Sequence, residues 1–282
     1  MIALAENRYG KGRVRLMKVT RHPQGHEVRE WNVMVLLQGD FETAHTLGDN
    51  SKILPTDTMK NTVYSLARSS SATSMEEFAM ELVEYLLSRN PQVSSAEVSI
   101  ASTPWKHLTI DGAPYPTAFM RGSEERQTTH VERARGAAFR ITSGLENMVV
   151  LKTADSAFSG YIRDNLTTLP ETEDRLFGTS VKATWQYAAV SLDFDAVRHR
   201  IRETMLRAFA HHKSKSVQET LYAMGEAVLQ QEPQAEWIEL GLPNKHCLLV
   251  DLSRFGQENP NQIFVPTDEP HGYIEARLRR KA

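Results

Sequence analysis

Asp49-Asn50-Ser51-Lys52-Ile53-Leu54-Pro55-Thr56-Asp57-Thr58-Met59-Lys60-Asn61-Thr62-Val63-Tyr64 sets turn-forming residues and a proline directly before a Thr-Asp pair and the start of a helix. Backbone N–H groups at a helix start lack intrahelical partners and can face a ligand. The stretch therefore suits a small polar molecule held at a helix N-terminus. Ser, Thr, Asp and Asn also collect at such places simply to cap helices, so the residues alone leave both readings open.

Working outward, Val14, Leu16 and Lys18 and then Glu27 to Leu37 are dense in β-branched and alternating residues. They predict an antiparallel pair of strands that turns at Pro23, Gln24 and Gly25. A helix is expected from about Asp57. Another starts at Ser74, which stands three before Glu77 in capping-box form; Phe78, Leu82 and Leu86 then recur at helical spacing, and Pro91 marks the end. Alternating runs at Ala96 to Ile100 and Thr117 to Met120 read as strands.

The second half repeats this order rather than this sequence. Two strands are expected between about Thr128 and Lys152, with Ser143-Gly144 at the turn, and a further strand near Lys182 to Val190. Phe194, Val197, Ile201, Met205 and Phe209 share one helical face, and Val217, Leu221, Met224 and Val228 share another, which Pro233 closes. Trp237 to Leu242, Lys245 to Leu252 and Tyr273 to Leu278 are strand candidates. Two antiparallel sheets, each with helices on one face, make an α+β chain. No low-complexity linker separates the halves, and the boundary is placed at about Glu125, giving domains 1–125 and 126–282.

A length of 282 residues with 40% hydrophobic content is enough for two domains, each with a core. The net charge of −2 argues against a nucleic-acid protein. The lone Cys247 sits in an apolar run, where a buried, inert thiol is the default and the cytoplasm the fitting compartment. The first residues do not resemble a secretory signal, no apolar run approaches a membrane span, and Arg279-Arg280-Lys281-Ala282 is not a peroxisomal Ser-Lys-Leu address.

The Asp49 to Tyr64 stretch resembles the urate oxidase (uricase) family's motif Asp-Asn, five residues, Thr-Asp, two residues, Lys-Asn-Thr. Other family-like segments follow in order: Asn7-Arg8-Tyr9-Gly10-Lys11, Val14 to Val19, Leu151-Lys152-Thr153, Ser156-Ala157-Phe158, Asp174-Arg175, Ala183-Thr184-Trp185, Ser216-Val217-Gln218 and Leu242-Pro243-Asn244-Lys245-His246. Together they span nearly the whole chain. The resemblance implies tandem tunnelling-fold (T-fold) domains whose sheets close into an oligomeric β-barrel, a homotetramer with active sites at subunit interfaces. It implies oxidation of urate by dioxygen and water to 5-hydroxyisourate and hydrogen peroxide, without a cofactor; dioxygen is a co-substrate.

The same resemblance assigns the residues. A Lys11-Thr56-His246 relay would move protons, since a desolvated lysine can act as a base and a hydroxyl can pass the proton on. Asn244 would hold dioxygen, peroxide or water over the substrate ring. Phe158 would lie under the purine, Arg175 would fork onto its C2 carbonyl and adjacent nitrogen, and Gln218 with the N–H of Val217 would meet the pyrimidine edge. Thr56 and Asp57 would offer N–H groups to the five-membered ring. In the family the Lys11, Thr56 and Asp57 positions come from one subunit and the Phe158, Arg175, Gln218, Asn244 and His246 positions from a neighbour. Read without the family, Lys11 is a surface lysine, Phe158 a core residue, Arg175 a salt-bridge partner of Asp174 or Glu173, and His246 a structural histidine.

The ten histidines form no zinc signature: Pro23 and Gly25 interrupt His22 and His26, and His211-His212 is a pair at a helix end. No dinucleotide or Walker fingerprint is present. The alternative reading is a purine- or pterin-binding tunnelling-fold protein without oxidase activity, whose pterin enzymes need a metal-binding set not found here. The chain departs from the family at Tyr115-Pro116-Thr117-Ala118-Phe119, where a His-rich element is common, and at Cys247, where an aromatic residue often follows the histidine.

Overall fold

The computed structural model describes residues 2–281, which fall into two compact units: residues up to Gly144 with Ala189–Asp195, and Leu145–Ala188 with the residues from Ala196 onward. The first unit holds β1 (Tyr9–His22), β2 (Gly25–Gly39), α1 (Glu42–Thr46), α2 (Thr56–Ser69), α3 (Met75–Arg89), β3 (Val93–Thr103), β4 (Trp105–Ile110), β5 (Ala113–Arg121) and β6 (Arg126–Ala134). β7 (Arg140–Lys152) carries the chain into the second unit, with β8 (Phe177–Tyr187), α4 (Phe194–His211), α5 (Val217–Gln231), β9 (Ala235–Leu249) and β10 (Phe264–Arg279). Both units are α+β. Among the described residues no helix is long and apolar enough to cross a membrane.

In the first unit the strand order is β1-β2-β3-β6, all antiparallel. Trp31, Val33, Val35 and Leu37 alternate along β2 and are buried. They turn to the helix side, where Trp31 stacks on Phe78 of α3 with ring centroids 5.2 Å apart. Each such side chain contributes about 1.5–3 kcal/mol by leaving water. α3 starts as expected: Ser74 Oγ accepts from the Glu77 N–H at 3.2 Å, and the Glu77 carboxylate accepts from the Ser74 N–H at 3.2 Å.

The second unit orders its strands β7-β8-β9-β10. Phe194, Val197, Ile201, Met205 and Phe209 of α4 are buried, as are Val217, Leu221, Met224 and Val228 of α5, so both helical stripes face the core. The strand candidates at Trp237 to Leu242 and Lys245 to Leu252 merge into one strand, β9, which runs on through Pro243 and ends at Leu249, short of Leu252.

The Thr117 to Met120 run is a strand as expected, β5, which pairs with β4 in a separate hairpin, while β6 joins β3. One strand expectation is corrected. Ser143-Gly144 is not a turn but lies inside β7. Ser143 is buried there, with its hydroxyl bonded to Thr129 at 2.9 Å and to Glu76, so its polarity serves an internal network. The turn comes earlier, where the Ala137 N–H bonds the Ala134 carbonyl at 3.0 Å and Gly136 takes φ +78°.

Candidate active site

The lysine-bearing half belongs to the first unit. β1 carries a bulge between Lys11 and Val14, with Arg13 at φ 57°. A bulge re-aims side chains, and this one follows Lys11 directly. Gly10 is required beside it, because a Cβ there would lie 1.8 Å from the Val35 carbonyl oxygen. Lys11 is half-buried.

The loop before α2 is tied to the same strand. The Tyr9 hydroxyl accepts from the Leu54 N–H at 2.8 Å and donates to the Leu54 carbonyl at 3.1 Å. Burial raises the Tyr9 pKa, so the phenol keeps the proton that the second bond needs. Asp49 accepts from the Ser51 N–H at 3.0 Å, and the Gln92 side chain donates to the Lys52 carbonyl at 2.9 Å. α2 then begins after Pro55 with no side-chain cap, and its first helical bond runs from the Met59 N–H to the Pro55 carbonyl. The leading N–H groups of Thr56 and Asp57 precede that bond and stand open at the positive end of the helix dipole.

The Asp57 side chain does not cap them either. Its carboxylate turns back to Lys60 and to Asn61, 3.1 Å away. The Lys60 hydrogen bond is the largest cause holding the Asp57 carboxyl below the ordinary carboxylate range, and the Lys11 charge adds to it. Thus Lys11, Thr56 and Asp57 come together around one uncapped helix start.

The second half is built in the other unit from three short segments. The Ala157 N–H bonds the Ser214 carbonyl at 2.7 Å, the Arg175 N–H bonds the Ser156 carbonyl at 2.8 Å, and Phe158 and Thr172 exchange N–H bonds at 2.8 and 3.1 Å. Phe158, Arg175 and the start of α5 are thereby laced together. Ser216 caps α5 by accepting from the Glu219 N–H at 3.1 Å, which leaves the Val217 and Gln218 N–H groups ahead of the first helical bond.

A cavity of about 450 Å³ opens here, lined by Phe158, Arg175, Asn244 and His246 among others. Asn244 and His246 are two apart on β9 and continue the side-chain row of Ile238, Leu240 and Leu242. The register of β9 against β10 shifts opposite them, between Thr267 and Gly272. The Arg175 guanidinium lies 5.1 Å from the Phe158 ring centroid, and its Nε is buried without a hydrogen-bond partner. Desolvation pushes the Arg175 pKa down. A flat molecule with carbonyl and ring-nitrogen acceptors suits a guanidinium poised over an aromatic face.

Val217, which is buried, and Gln218, which is exposed, are not among the cavity's lining residues. Cys247 does line it and is half-exposed, which corrects the expectation of a core thiol. Two residues escaped the sequence reading. Tyr9 has no signal beyond its place in a family-like segment, and Tyr161, which stacks on Phe158 at 4.8 Å and 15° between planes, has none. Among the described residues no group of three or more His, Cys, Asp or Glu side chains could hold a metal ion.

The family model for uricase matches residues 7–132 and 141–275. The uricase of Arthrobacter globiformis is 42% identical over 280 residues, covering 99% of this chain and 91% of that protein. That of Dictyostelium discoideum is 38% identical over 283 residues, covering 99% and 98%. The crystal structure of the Arthrobacter globiformis uricase superposes with a TM-score of 0.94, covering 100% of this chain and 96% of that one. These likenesses run the full length of both units and include the segments that build both halves of the site. The chain belongs to the uricase family, the urate oxidases.

Proposed function

We propose that this urate oxidase converts urate, dioxygen and water to 5-hydroxyisourate and hydrogen peroxide with no cofactor, in an active site shared between subunits. The two units are read as tandem T-fold domains. Four copies assemble so that the Lys11, Thr56 and Asp57 half of one subunit meets the Phe158, Arg175, Asn244 and His246 half of its neighbour. The observation that carries this reading is the cavity in which Arg175, its buried Nε unpartnered, stands over Phe158 beside Asn244 and His246.

Urate stacks on Phe158 and presents its C2 carbonyl and adjacent nitrogen to Arg175. Gln218 and the Val217 N–H take the pyrimidine edge, and the N–H groups of Thr56 and Asp57 take the five-membered ring. Lys11, through Thr56 and His246, accepts the proton whose loss leaves an electron-rich dianion. That dianion supplies two electrons to dioxygen, which leaves as peroxide after taking two protons. Asn244 holds first dioxygen and then the water that adds to the oxidised ring, so the protein contributes alignment, proton transfer and a polar slot.

The test is urate loss by metal-stripped protein, followed by ultraviolet absorbance together with oxygen uptake and peroxide release. Equal amounts of urate lost, oxygen consumed and peroxide formed are expected. Urate binding without oxygen uptake, or turnover only after a metal is restored, would contradict the proposal.

A further inference from the structure

The first unit carries a second cavity, of about 480 Å³, lined by Arg13, Arg15, Arg121 and Arg126 with a single carboxylate, Glu30. Neither Lys11, Thr56 nor Asp57 lines it. In the register of the sheet, Arg15 pairs with Asn32 and Asn32 with Ala101, while Glu30 pairs with Thr103. These positions alternate with Trp31, which packs on α3, so the cavity opens on the sheet face turned away from the helices.

The one acid is already saturated. Glu30 is buried, and its Oε1 accepts from Arg15 at 2.6 Å while its Oε2 accepts from Arg121 at 2.9 Å and from the Trp105 indole N–H at 3.0 Å. The Arg121 guanidinium is also held in place over the Trp105 ring, 5.3 Å from its centroid. Among the described residues Arg13 and Arg126 form no ion pair. Four planar, permanently charged forks around one fully used carboxylate repel one another, and an anion placed among them relieves that repulsion.

We propose that this arginine cavity binds a phosphate-class oxyanion. Two or more guanidinium groups grip such an anion through paired N–H···O bonds, and the Thr103 hydroxyl and Asn32 amide supply neutral donors beside them. The ligand is free inorganic phosphate or the phosphate of a monoester; the chemistry is shared, and the cavity has room for either.

The test titrates inorganic phosphate, and separately glycerol 3-phosphate, into the full-length, phosphate-free protein by calorimetry. One saturable site per chain is expected. Arg126→Gln and Arg13→Gln each weaken it about tenfold, the effect of losing one charge-assisted contact. Unchanged urate turnover by Arg126→Gln shows that the variant is folded. Arg175→Gln, which alters the urate cavity, leaves phosphate affinity where it was. Tighter binding of glycerol 3-phosphate identifies a monoester as the occupant, and tighter inorganic phosphate the free anion. No saturable binding, equal affinity in Arg126→Gln and Arg13→Gln, or loss of binding in Arg175→Gln would overturn the proposal.

Discussion

The Tyr9 hydroxyl bonds both the N–H and the carbonyl of Leu54, at 2.8 and 3.1 Å, and so clamps the loop before α2 to the strand that carries Lys11. One phenol thereby sets the distance between a lysine on β1 and the uncapped N–H groups of Thr56 and Asp57. Tyr9→Phe keeps the ring, including its edge contact with Phe41, and removes both bonds. The expected outcome is a loss of about 1 kcal/mol in unfolding free energy. A larger effect is expected on catalysis, about tenfold in kcat/KM, because misplacement rather than lost binding is at issue. Denaturation and steady-state kinetics on the same preparation check both.

In the proposed function Arg175 holds substrate by its fork rather than by its charge alone. Arg175→Lys keeps the charge and loses the paired geometry. A fall of about 10- to 100-fold in kcat/KM is expected, matching ~1.5–3 kcal/mol for hydrogen bonds to a charged group. Kinetics with urate check it, and an unchanged KM would remove Arg175 from the binding role.

Lys11→Met removes the proposed base while leaving the stacking and forking residues of the neighbouring half untouched. Turnover is expected to drop by about 100-fold or more, the usual size of a general-base contribution, with little change in urate affinity. Stopped-flow turnover and equilibrium binding of urate under anaerobic conditions separate the two. Equal turnover would exclude Lys11 from the relay.

The buried carboxyl of Glu30 is held below the usual glutamate range, chiefly by its hydrogen bond from Arg15, then by those from Trp105 and Arg121. A carboxyl whose folded pKa is depressed contributes stability above its unfolded value of about 4.3 and loses it as pH falls through the folded value. Wild type is therefore expected to exceed Glu30→Gln by ~1–2 kcal/mol at pH 7, with the gap closing below about pH 4. Urea denaturation at the two pH values measures the gap. A difference that grows in acid would contradict the sign.

Local signals were legible in the chain and distant ones were not. The capping box at Ser74 and the apolar stripe from Phe194 to Phe209 need only neighbours within a few turns, and both appear in the structure. The β4–β5 hairpin also carries a local mark: Asp111-Gly112, with φ 50° and 79°, is the dipeptide that favours a tight hairpin turn. Ser143-Gly144 misled because small polar residues signal a turn only where they meet water, and Ser143 meets Glu76 instead. Phe158, Arg175 and the start of α5 are laced by backbone bonds across more than fifty residues of sequence, and Asn244 and His246 reach the same cavity from β9, a gathering that only the family resemblance could anticipate.

In the proposed active site the lysine half and the arginine half act on one urate across a subunit interface. Lys11→Met and Arg175→Gln each disable one half, so co-assembled mixtures of the two variants test it directly. If the halves come from different subunits, mixed oligomers contain some sites with both native halves, and about a quarter of wild-type activity per site is expected from a random equal mixture. Activity no higher than that of either variant alone would contradict the shared site.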